Sequence, residues 1–173
     1  MRIKIEKKQP NSKMCFVCGL KNSFGLHSSF YELENGELMA VFSPGEEHQG
    51  YPGRLHGGIA ATILDETMGR AVMMDKTDEY WGVTIEFSSR YRKPVPIDSK
   101  VRVIARITKN SSRIFEGTGE IILEDGTVAV EGKGKYLKLA LSKIADFNAD
   151  EQEWKVIDSP DDPDHVSIGD RET

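Results

Sequence analysis

The sequence predicts an α+β domain in which an antiparallel sheet packs against one long helix. Three observations carry that prediction. A single stretch of the body, Gly58 to about Met74, is apolar enough and long enough to be a core helix. Two short β-type runs precede it and four follow it. Strands, one helix and strands again exclude the alternating βαβ pattern and leave an antiparallel sheet with the helix on one face.

Along the chain, residues 1–14 read as a polar arm, and Cys15 to Leu26 as a compact glycine-containing segment. Ser29–Leu33 and Leu38–Phe42 are strands joined by Asn35-Gly36, a strong hairpin signal. Ser43 to Leu55 is a loop rich in Gly, Pro and His. After the helix, Asp75 to Tyr80 is polar and turn-like. Then come strands over Gly82–Arg92, Lys100–Lys109, Arg113–Leu123 and Thr127–Leu139, with Lys93-Pro94-Val95-Pro96-Ile97-Asp98 breaking the first from the second.

The last hairpin can be read to the residue. A two-residue turn at Asp125-Gly126 sets Leu123 opposite Val128 and Ile121 opposite Val130. The same register opposes Gly119 to Gly132, Gly117 to Gly134 and Phe115 to Tyr136, all on one face. Two opposed glycine pairs carve a trough for another element, and the long helix is its obvious occupant. Glu116 with Lys135 and Thr118 with Lys133 make a wetter opposite face, while Glu120 opposite Glu131 speaks against the register.

The totals narrow the function classes. A chain of 173 residues with 38% apolar residues forms one ordinary domain with a real core. No segment has the length of a membrane span, and the N-terminus lacks a secretory apolar stretch, so a cytoplasmic location is expected. The net charge of −5 is uneven: residues 146–173 hold ten acidic and two basic residues, residues 1–145 hold 18 and 21. No basic nucleic-acid footprint exists. The expected organisation is an arm with a Cys-x-x-Cys segment over 1–28, the main domain over 29–145 and an exposed acidic tail over 146–173, with Trp154, Val156 and Ile157 as its only docking candidates. Cys15 and Cys18 form a single pair. Zinc sites usually take four ligands, so the pair reads as two small apolar residues in a packed turn and no metal is expected.

Leu55 to Arg70 is the chemically informative stretch. His56-Gly57-Gly58 opens a nearly all-apolar helix, which is normally a buried one, and Asp65 sits two turns inside it. Glu66 and Arg70 pair at i,i+4, leaving Asp65 without a helical partner among small neighbours. A desolvated carboxylate is costly, and its pKa is expected to rise. Glycines before a helix let N–H groups approach a ligand, and helix starts favour negative charge. His56 can orient the loop, contact a substrate or act as an acid; hydrogen bonding within the loop is the commoner role.

These residues carry a resemblance. The run from Leu55-His56-Gly57-Gly58 to Asp65, with Gly82-Val83-Thr84-Ile85 and Tyr91-Arg92-Lys93-Pro94-Val95-Pro96, resembles the hotdog-fold acyl-CoA thioesterases of the phenylacetate-pathway and Them type. Cys15-Phe16-Val17-Cys18-Gly19 with Asn22, Gly25 and Leu26 also recurs in such proteins. The resemblance spans about residues 15–141, the size of one domain. It implies a hotdog fold, a curved sheet wrapped around the central helix, and hydrolysis of an acyl-CoA thioester. Asp65 is then general base or nucleophile, and a Gly57 or Gly58 N–H holds the oxyanion. Thr84 is implied to assist from the partner subunit, and Gln49 to stand in for a loop Asn or Gln of related proteins. Arg90, Arg92, Lys93 and Arg113 are candidates for the coenzyme A phosphates, or solvated strand edges. A homodimer or dimer of dimers is implied, with no cofactor beyond the coenzyme A of the substrate. Two other readings stay open: a hotdog hydratase or dehydratase using His48 or His56 with Asp65 or Glu66, and a non-catalytic acyl-CoA binding module.

Overall fold

A computed structural model describes residues 2–74 and 80–168, so most of the Asp75–Tyr80 turn lies outside the described residues. Among the described residues eight strands form one sheet: β1 Arg2–Lys8, β2 Ser29–Leu33, β3 Leu38–Phe42, β4 Trp81–Tyr91, β5 Val101–Asn110, β6 Ile114–Ile122, β7 Val128–Leu139 and β8 His165–Ser167. Their order is β4-β7-β6-β5-β3-β2-β1-β8, and each neighbouring pair is antiparallel. One α-helix, α1 Gly57–Arg70, lies against this sheet and continues as a 3-10 turn over Ala71–Met74. A curved sheet around a single helix is the hotdog arrangement that the sequence predicts.

The glycine trough exists and the helix fills it. Gly117 pairs with Gly134 and Gly119 with Gly132, and the register departs from the turn-based expectation only at a bulge after Ile121, where Ile122 rather than Leu123 faces Val128. Leu64 and Met68 of α1 enter the trough: a Cβ on Gly119 would lie 3.3 Å from each, and one on Gly132 would lie 3.2 Å from Met68. Both side chains are fully buried, together with Ile63. Gly119→Val overpacks this contact and should cost about 1–3 kcal/mol, read as a lower urea midpoint with unchanged m.

The charge conflict in the ladder is resolved by arginines. Glu120 receives two N–H donations from Arg106, at 2.7 and 2.6 Å, and Glu37 receives the Arg106 Nε–H at 2.6 Å. Glu131 pairs with Arg92 at 2.9 Å. A pair of opposed carboxylates is tolerable when each has its own cation.

Three expectations need correction. The first residues are not an arm: β1 pairs with β2 (Ile5 with Leu33) and with β8 (Ile3 with Val166). Arg2-Ile3-Lys4-Ile5-Glu6 alternates as a strand should, but its charges outweigh the two isoleucines in any composition-based reading. The tail is docked rather than free. Its β8 extends the sheet, Trp154 packs against the core, and Asp162 accepts from Lys8 and from the Tyr31 hydroxyl, each at 2.7 Å. Finally, α1 is buried along one face only. Ala60, Ile63, Leu64, Thr67 and Met68 point into the core, while Gly57, Gly58, Ile59, Ala61, Thr62, Asp65 and Glu66 remain partly or fully exposed in the single chain.

Candidate active site

Asp65 sits on the half-open side of α1 where β4 and β7 run beneath it. Thr84 of β4 and Tyr136 of β7 are direct cross-strand partners, so their side chains share a face. Both hydroxyls reach the same carboxylate. Thr84 donates to Oδ1 at 2.9 Å with Oδ2 at 3.1 Å, and Tyr136 donates to Oδ1 at 3.1 Å. The ladder is interrupted directly after Thr84, where Ile85 is the extra residue of a β-bulge. Bulges bend a strand and re-aim neighbouring side chains, and this one lies beside the carboxylate.

Burial holds the Asp65 pKa above the ordinary carboxylate range, against the opposing pull of the Thr84 and Tyr136 hydrogen bonds; the negative charge of Glu66 pushes it up further. The Tyr136 hydroxyl is driven well above the usual tyrosine range, by burial first and by Asp65 second, so it remains a donor. A cleft of about 130 Å³ opens beside the carboxylate, lined by Asp65, Gly69, Arg70, Trp81 and Thr84 among others. A larger groove, about 520 Å³, lies on the other face of the sheet between Glu86, Thr118, Lys133 and Lys135, away from Asp65.

The helix start divides the roles of its three residues. His56 is the N-cap, and its Nδ1 accepts from the Gly58 N–H at 2.9 Å. His56 therefore fixes the loop, and the Gly58 N–H is already occupied. The Gly57 N–H makes no hydrogen bond among the described residues. Gly57 is anchored through its carbonyl, which accepts from the Tyr91 hydroxyl of β4 at 2.5 Å. Gln49 accepts from the Gly53 N–H at 3.0 Å and shapes the loop ahead of the helix.

Thr84 reaches Asp65 of its own chain, which corrects the expectation that it arrives from a partner subunit. Gly57 and Asp65, by contrast, are not brought together. Eight positions of one helix at about 1.5 Å each separate them by about 12 Å. Of the four cationic candidates, Arg90, Arg92 and Lys93 are exposed together at the end of β4, near the Tyr91–Gly57 contact. Arg113 precedes β6 at the far end of the β6–β7 ladder: Ile114 pairs with Leu137, whereas Tyr91 pairs with Val130. Seven strand residues, about 23 Å, lie between. Tyr136 was not singled out as a site residue by the sequence. Its signal lies in the glycines: the ring of Tyr136 occupies the space a side chain on Gly134 would need.

His48 is buried, with Nδ1 accepting from the Gly45 N–H at 3.0 Å and Nε2 bonded to the Phe24 carbonyl at 2.9 Å. Both ring nitrogens serve the loop, which removes it as a partner for Asp65. The predicted Glu66–Arg70 pair forms at 2.8 Å.

The antiparallel sheet and its one central helix define the fold class, a hotdog. Residues 52–130 match the thioesterase superfamily. A solved thioesterase-superfamily structure superposes with a TM-score of 0.65 at 26% identity, covering 71% of this chain and 59% of that one. Zebrafish thioesterase superfamily member 2 gives 0.55 at 21% identity, covering 59% and 74%. The chain is similar to hotdog-fold thioesterases in sequence over residues 52–130 and in fold. Among curated relatives it is similar to the acyl-coenzyme A thioesterase THEM4 of Mus musculus, 27% identical over 79% of this chain, and to THEM5 of Homo sapiens, 24% identical over 66%. It spans 59% of the length of the mouse relative and 45% of the human one. Among the described residues no helix is long and apolar enough to cross a membrane.

Proposed function

We propose that the protein hydrolyses acyl-CoA thioesters to a carboxylic acid and free coenzyme A. The observation that carries this reading is the Asp65 carboxylate, lifted in pKa beside a cleft and held by the Thr84 and Tyr136 hydroxyls. Asp65 takes a proton from water as that water attacks the thioester carbon, or attacks the carbon itself to form a mixed anhydride that water then hydrolyses to the acid. The C–S bond breaks and the thiolate leaves to be protonated. A Gly57 N–H at the positive end of a helix receives the developing oxyanion. No metal or redox cofactor enters these steps.

Each donor must lie about 3 Å from the reacting atoms, so Gly57 and Asp65 about 12 Å apart on one helix cannot serve one thioester. The reading therefore requires two chains, with Gly57 from one and Asp65 and Thr84 from the other. The sheet offers the means. β4 is an edge strand of 11 residues with Ile85 49% exposed, and long edges tend to be covered. A two-fold pairing of two β4 strands runs them antiparallel. It carries the Tyr91 end of one chain, where Gly57 is anchored, toward the Thr84 end of the other.

The direct test is thiol release from a panel of acyl-CoAs, with failure on every chain length and aryl group counting against the proposal. A second test is the acid limb of kcat/KM. Activity requires the Asp65 carboxylate, so the limb should lie above the ordinary aspartate value of about 3.9. Tyr136→Phe removes a donor that favours the ionised form, so the limb should move to still higher pH while the basic side is unchanged.

A further inference from the structure

Cys15, Cys18 and Glu66 lie apart from the proposed hydrolytic steps, yet their ligand atoms converge. The two sulfurs and a Glu66 carboxylate oxygen lie within 4.8 Å of one another. A tetrahedral zinc with bonds of about 2.3 Å to sulfur and 2.0–2.2 Å to oxygen holds its ligands about 3.5–3.8 Å apart. Small side-chain rotations close that difference.

The surroundings of the sulfurs are those of anions. The N–H groups of Val17 and Cys18 both point at Cys15 Sγ, at 3.3 and 3.5 Å. Cys18 Sγ accepts from Arg70 Nη2 at 2.9 Å and contacts Ser12 Oγ at 3.3 Å. The turn is fixed by the Gly19 N–H bonding to Cys15 O at 2.8 Å, and a side chain on Gly19 would collide with the Cys15 backbone. Cys-x-x-Cys-Gly thus forms a tight clamp that presents both sulfurs to the same point. Glu66 completes it from α1, with its Oε1 also accepting from Arg70 Nε at 2.8 Å.

Charge balance selects the occupant. Two thiolates and Glu66 total three negative charges, and Arg70 supplies one positive charge beside them. Arg70 is itself buried, stacked on Phe30 at 4.2 Å and over Trp154 at 5.0 Å, so it cannot leave to admit other cations. A divalent ion brings the group to neutrality. Soft thiolate donors with one carboxylate suit zinc rather than magnesium or calcium.

We propose that Cys15, Cys18 and Glu66 bind one zinc-class divalent cation, with Arg70 as the outer partner of Cys18 and water in the fourth position. The ion pins the Ser12–Gly19 turn to α1 one residue away from Asp65. It takes no part in hydrolysis.

Cobalt(II) titration of the full chain, reduced and stripped with a chelator, tests this. One equivalent per chain should give a near-ultraviolet thiolate-to-cobalt charge-transfer band and intense tetrahedral visible bands, both displaced by zinc. Zinc should also raise Tm. Cys18→Ser should lose most of the charge-transfer band. Should that variant fail to fold, Glu66→Gln keeps both sulfurs and should bind at least about tenfold more weakly, since even outer partners of a metal are worth that much. The proposal is overturned if protein with two titratable thiols gives no charge-transfer band, or if Glu66→Gln binds like the parent. A Cys15–Cys18 disulfide that forms equally fast with and without zinc also overturns it.

Discussion

Replacing Asp65 with Asn should lower kcat by about 10²–10⁴, the range typical of removing a positioned acid or base. The substitution keeps shape and the Oδ1 acceptor to which Thr84 and Tyr136 donate, so the loss reports on the charge rather than on packing. Stability should move the other way. Burial raises the Asp65 pKa above its unfolded value, so the folded state holds the proton more tightly. The folded state then loses stability as pH rises from the unfolded value of about 3.9 through the folded pKa, and the loss is complete above it. Asn cannot ionise, so the variant should be at least as stable as the parent at neutral pH and should lack that part of the pH dependence. Thiol release and thermal melts at two pH values measure both. Near-parental turnover in a folded Asp65→Asn protein would remove Asp65 from the chemistry and the hydrolase reading with it.

How far such a site can be read from sequence depends on how locally its geometry is encoded. Asp125-Gly126 fixes a turn, a turn fixes a register, and the register propagates from Ile121–Val130 to Phe115–Tyr136. The trough, the helix that fills it and the Glu66–Arg70 pair all follow from spacing within one or two elements. The same register already places Tyr136 on the helix face. What it lacks is the neighbouring strand: β4 joins β7 across the intervening β5 and β6, with a bulge at Ile85 that no sequence pattern marks. Without that pairing neither the Tyr136–Thr84 clamp nor its location within one chain could be seen. β1 and β8 were missed for a related reason. They pair Ile3 with Val166, residues separated by nearly the whole chain; β1 alone is too charged to read as a strand, and β8, at three residues, is too short. Arg113 illustrates the converse error, since similarity of residue type grouped it with Arg90, Arg92 and Lys93, although the sheet holds it at the opposite end.

Gly57→Pro should cost about 10²–10³ in kcat, the effect of deleting one oxyanion donor, with the fold preserved. Proline is well suited to this position. Gly57 is the first residue of α1, where proline is favoured and an N–H is without an intrahelical partner anyway. His56 before it has φ −62° and ψ 133°, the extended conformation that a following proline demands. A Cβ at Gly57 would meet the Tyr91 ring at 3.5 Å, ordinary contact. The variant thus removes a hydrogen-bond donor and little else. Its main use is in combination. Co-expressed Asp65→Asn and Gly57→Pro chains should complement: in the mixed dimer, one site combines the intact Gly57 of the first chain with the intact Asp65 of the second. Random pairing makes half the dimers mixed, each with one working site of two, so the mixture should recover about a quarter of parental activity. Were Gly57 and Asp65 of one chain to serve the same thioester, no dimer in the mixture would hold a complete site, and activity would stay at the level of the two single variants. The single length that decides between these outcomes is the rise of eight helical residues, and it already favours the first.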